Sequence, residues 1–89
     1  MSLVSDDLAK AILLYNPKFT TEKKILFALN HLGSGDVNTL TEYLIRVDGH
    51  VKDAIKFGNG ITYTASRLHR AGKLMAEKKG KRNVYKLVT

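Results

Sequence analysis

Apolar residues recur along this chain mostly at helical spacing, and the pattern changes character only near the C-terminus. Leu8, Ala11, Ile12 and Tyr15 stand at i, i+3, i+4 and i+7, behind Ser5 as a candidate N-cap and two acidic residues, Asp6 and Asp7, that suit the positive end of a helix dipole. Pro17 then stops the pattern, which predicts a short amphipathic helix. A second stripe, Ile25, Ala28, Leu29 and Leu32, follows Thr20 or Thr21 as cap and ends at Gly33 and Gly35. A third, Leu40, Tyr43, Leu44 and Val47, begins with Thr39 and Glu42 at capping-box spacing and is broken by Asp48 and Gly49.

Val51, Ala54 and Ile55 allow a further helical turn or two, which the glycines Gly58 and Gly60 are expected to separate from the next helix. From Gly60 onward Ile61, Ala65 and Leu68 form one buried stripe, and Gly72 suits a left-handed position just past the helix end. The opposite face carries Thr62, Tyr63, Ser66, Arg67, His69 and Arg70. The tail then alternates partially in two short runs, Lys73 to Lys78 and Val84 to Val88, around a turn containing Gly80 and Asn83, which predicts a β-hairpin. No segment repeats at a fixed period.

At 89 residues the chain has room for one hydrophobic core. It has no cysteine, which removes disulfides, thiolate metal sites and cysteine nucleophiles and agrees with a reducing compartment. No apolar run approaches a membrane span and no secretory signal opens the sequence, so the expectation is a cytoplasmic, intracellular protein, nucleoid-associated if prokaryotic. Charge changes the picture more. The formal net charge is +7, yet the residues up to Ile45 hold 4 basic against 5 acidic groups, and those from Arg46 onward hold 11 against 3. A positive field confined to one half suits a polyanion-binding surface better than a uniformly solvated exterior.

Three helices followed by a hairpin, with the last helix and the hairpin both basic, is the element order of winged helix-turn-helix domains. The tail SRLHRAGKLMAEKKGKRNVYKLVT resembles the recognition-helix end and wing of that superfamily: Leu68 and Gly72 close the helix, Leu74 starts the wing, Gly80 marks its tip, and Tyr85 and Leu87 return. The resemblance covers residues 21 to 89 and is specific from Ser66 onward. It implies an α+β, mainly α fold: a three-helix core plus a C-terminal β-hairpin wing in residues 20–89, with an extra N-terminal helix in residues 1–19. The sequence departs from compact members between Asp48 and Phe57, where an insertion replaces a tight turn. The resemblance further implies a double-stranded DNA-binding protein, a small transcriptional regulator, and a homodimer built through the added helix, although the stripe ending at Tyr15 can equally pack on its own core.

In such a module an exposed helix face meets base edges in the major groove. Arg67 and Arg70, one turn apart, can each offer a guanidinium fork to guanine, and Thr62, Tyr63, Ser66 and His69 can contact bases or phosphates. Lys78, Lys79, Lys81 and Arg82 surround the hairpin turn, where four cations in five positions repel one another and make most sense facing phosphate. Lys73 and Lys86 extend that surface. For each of these residues the plain alternative is a solvated surface side chain. Two other functions compete: a winged helix that docks an acidic protein partner, and an accessory DNA-binding domain of a larger nuclease or recombinase system. His31, His50 and His69 have no metal-ligand spacing, and no nucleophile is accompanied by a base. The segment GNGITY lacks a phosphate-loop pattern, and Asp48 and Asp53 are read as loop and turn residues. The expectation is therefore neither an enzyme nor a cofactor or metal binder.

Overall fold

The computed structural model describes residues 14–88, so Ser5 and the stripe Leu8, Ala11 and Ile12 lie outside the described residues. In chain order the elements are α1 (Thr21–Leu32), β1 (Ser34–Gly35), α2 (Val37–Asp48), α3 (Ala54–Arg70), β2 (Leu74–Lys79) and β3 (Arg82–Leu87). Among the described residues the result is an α+β arrangement of three helices and a three-stranded antiparallel sheet in the order β1-β3-β2.

The stripes fold inward because burying each leucine or isoleucine contributes roughly 1.5–3 kcal/mol. Ile25, Ala28 and Leu29 of α1, Leu40, Leu44 and Val47 of α2, and Ile61, Ala65 and Leu68 of α3 form one core, floored by Leu74 and Tyr85 of the sheet. Leu32, expected on the α1 stripe, is instead 38% exposed at the helix end. Tyr15 joins this same core, with its ring edge-on to Phe19 and Phe27 at centroid distances of 5.7 and 5.4 Å. The last member of the N-terminal stripe is thus spent on the chain's own core.

Helix ends follow local chemistry, with two departures from expectation. Thr20 caps α1, its side chain accepting from the Lys23 N–H. The cap of α2 is Asp36, which accepts from the Thr39 N–H at 2.8 Å, so Thr39 and Glu42 do not form the capping box. The reason is tertiary: Ser34 and Gly35 pair with Lys86 and Tyr85, which turns the chain early and lets a carboxylate cap the helix. The second departure is α3, which runs unbroken through Gly58, Asn59 and Gly60 from its Asp53 cap. Two glycines cost about 1 kcal/mol each and the asparagine up to roughly 0.7 relative to alanine. Ile61 is fully buried and Phe57 packs against the core, and together these outweigh that cost. Val51, Ala54 and Ile55 do not form the stripe; Ile55 is 79% exposed and Phe57 takes the inward position. The expected insertion shrinks to residues 49–53.

Gly72 has φ +78° as anticipated, and two hydrogen bonds close α3 around it: Gly72 N–H to the His69 carbonyl and Lys73 N–H to the Leu68 carbonyl. The hairpin turn is only Gly80 and Lys81; Asn83 lies in β3 opposite Lys78. With positive φ at Gly80 alone, the turn fits the II′ class, which matches the twist of the flanking strands. Among the described residues no helix is long and apolar enough to cross a membrane.

Candidate nucleic-acid interface

The stripe that buries Ile61, Ala65 and Leu68 fixes which α3 side chains point outward. Tyr63 is 66% exposed on that outward side. Arg70 is exposed and has no ion pair among the described residues. Arg67 and Lys73 both reach Glu22 of α1, at 3.7 and 3.5 Å. Exposed pairs of this kind are worth about 0–1 kcal/mol, so both cations stay available to a stronger anion.

Three other candidate residues have local duties. Thr62 donates its hydroxyl to the Gly58 carbonyl at 2.9 Å. Ser66 is half-buried and, with Thr62, lines a crease of about 200 Å³ between α3, Asp36 at the start of α2, and Arg82 of β3. His69 turns towards the hairpin: its Nδ1 is 3.1 Å from the Leu74 carbonyl and its ring meets Tyr85 edge-on. It clasps the start of β2 while remaining exposed.

The hairpin tip gathers charge at an energetic disadvantage. Lys78, Lys79, Lys81 and Arg82 are all exposed, and Lys79 stands directly opposite Arg82, a like-charge pairing that weakens a hairpin. Only Arg82 has a counter-ion among the described residues, Asp36 at 3.2 Å. The Thr39 N–H, working against burial and aided by Arg82, holds the Asp36 carboxyl below the usual carboxylate range. That carboxylate therefore caps α2 and braces the hairpin base together. Lys86 is exposed on β3, away from the tip.

Ile55, Lys56 and Asn59 complete the outward face of α3 and were not among the expected contacts. Only the continuity of α3 reveals them: Ile55, Asn59 and Tyr63 lie four residues apart along one side. Asp48, expected in a loop, is instead a buried anchor at the end of α2, accepting from the Tyr15 hydroxyl at 2.7 Å and pairing with Lys24 at 3.4 Å. Asp53 caps α3. Among the described residues no group of histidine and carboxylate side chains could hold a metal ion.

No protein family model matches the chain, and no curated protein or solved structure matches it either.

Proposed function

We propose that this chain is a winged helix-turn-helix module that binds double-stranded DNA, with α3 as the recognition helix and the β2–β3 hairpin as the wing. The observation that supports it best is a juxtaposition. A helix face bearing polar and aromatic groups with few partners packs beside a projecting tip of four exposed cations, two of them in mutually repelling positions. Apart from the Arg82–Asp36 pair, no ion pair among the described residues offsets the charge of this tip, whereas a duplex uses both parts, base edges for the helix and phosphates for the tip. In this reading Tyr63, Ser66 and Arg70 enter the major groove, Thr62 and Arg67 flank them, and Lys73, Lys78, Lys79, Lys81 and Arg82 hold the backbone. The corresponding role is that of a small intracellular transcriptional regulator. Assembly as a homodimer through the N-terminal segment would have to do without Tyr15, which is committed to the core.

Fluorescence anisotropy with random duplex DNA at low and moderate salt tests the proposal. Binding that weakens steeply with salt is expected. No binding at low salt would overturn it and favour an acidic protein partner for the same surface.

A further inference from the structure

The centre of the outward α3 face is neither a stability feature nor one of the cationic contacts. Asn59 lies mid-helix, exposed, with no side-chain hydrogen bond among the described residues. Asparagine is a poor choice at such a position, since its side chain competes for backbone groups and does nothing here in return. One turn before it stands Ile55, 79% exposed, and one turn after it Tyr63, 66% exposed. Next to it is Gly60, whose backbone has no positive φ and where an added Cβ would meet nothing within 4 Å. Neither conformation nor packing requires glycine there. An apolar residue, a carboxamide and an aromatic ring in one column, beside a bare stretch of helix backbone, form a ridge that another molecule can approach closely.

Resting on the DNA-binding reading, we infer that Asn59 is a specificity-determining residue that reads an adenine in the major groove. The carboxamide has the matching pair of groups: its N–H₂ donates to adenine N7 and its oxygen accepts from the adenine N6 amine. Ile55 and Tyr63 supply apolar surface for thymine methyl groups on either side. Gly60 lets the helix seat deeply enough for a side chain as short as asparagine to reach the base edge. The recognition sequence then has an A·T pair at its centre, with any guanine read by Arg70 displaced towards the C-terminal end of α3.

The test is selection of bound sequences from a random duplex library with the wild-type chain and with Asn59→Ala, followed by titration of the selected site. Removing the carboxamide raises helix propensity, so the variant keeps its fold, which circular dichroism verifies. The expected result is loss of preference at one A·T position, roughly 5- to 150-fold in affinity for the selected site, with random-DNA binding retained. The unmodified protein should also lose affinity for a site carrying 7-deazaadenine at that position. Gly60→Ala should weaken the selected site despite a more stable helix. An unchanged sequence preference in Asn59→Ala, or indifference to 7-deazaadenine, overturns the inference while leaving DNA binding intact. Failure of the wild-type chain to bind any duplex overturns both.

Discussion

Replacing Tyr15 by phenylalanine removes one oxygen from a buried polar cluster and leaves the ring packing in place. The Tyr15 hydroxyl donates to Asp48 Oδ2 at 2.7 Å, while Asp48 also accepts from the His50 N–H at 3.1 Å and pairs with Lys24 at 3.4 Å. A hydrogen bond to a charged acceptor is worth about 1.5–3 kcal/mol. Because two other partners remain, the lower part of that range applies, about 1.5–2 kcal/mol. For a domain of this size the loss lowers Tm by roughly 6–16 °C. Burial pushes the Asp48 carboxyl up, but the Tyr15 hydroxyl, the His50 N–H and Lys24 together hold it below the usual carboxylate range. The native state therefore binds fewer protons there than the unfolded chain. This stabilisation is complete above about pH 4 and is lost as pH falls through the lowered native value. Tyr15 has the opposite sign: burial, then the bond to Asp48 and its charge, raise the phenol well above its ordinary value. Its stabilisation holds below about pH 10 and fades as pH rises further. Urea denaturation across pH, followed by circular dichroism, should show Tyr15→Phe less stable at neutrality, with a shallower acid limb and a weakened alkaline limb. A change below about 0.5 kcal/mol, or additivity of Tyr15→Phe with Asp48→Asn in a double-mutant cycle, would mean that the Tyr15–Asp48 bond does not stabilise the fold.

Gly72→Ala should destabilise by about 1–2 kcal/mol, because φ +78° is costly for any residue with a Cβ; urea midpoints measure it. Asp36→Ala should cost about 1 kcal/mol through the lost cap, and its deficit relative to the parent should shrink as acid protonates Asp36 in the parent; thermal melts at neutral and strongly acidic pH check this. Lys79→Ala should weaken all duplexes similarly and reduce the salt slope by about 0.9 log unit per log unit of salt, as read by anisotropy. Arg70→Ala should lower affinity for the preferred site by about 1–3 kcal/mol and change random-DNA binding much less; equal losses on both would make Arg70 a phosphate contact.

The inward stripes of all three helices were legible because Ile25, Ala28 and Leu29, Leu40, Leu44 and Val47, and Ile61, Ala65 and Leu68 repeat at helical spacing and meet in one core. Gly72 was legible for a local reason as well, its position after the last stripe residue. The features that escaped are set by tertiary contact. β1 has two residues, too few for any alternation, and exists because β3 lies beside it. Asp36 displaces Thr39 as cap for the same reason. Gly58 and Gly60 mark a break in any propensity reading, yet Phe57 and Ile61 hold the helix together on the core. That single misplacement hid Ile55 and Asn59 from the candidate interface. The cationic tip was legible from charge alone, whereas the pairing of Arg82 with Asp36 joins residues far apart in sequence.

The position of β3 between β1 and β2 also sets the order in which this chain can fold. Ser34 must wait for Lys86, and Gly35 for Tyr85, so the sheet closes only after nearly all of the described chain is available. The hydrogen bonds of α1 and α2 are local and form early, whereas α3 needs the core to span Gly58 and Gly60 and this long loop closure is slow. Until it occurs the core lacks Tyr85, and the apolar faces of all three helices stay uncovered on that side. During synthesis the vulnerable interval therefore lasts until β3 leaves the ribosome, and a chain cut short before Tyr85 would have only Leu74 to floor the core.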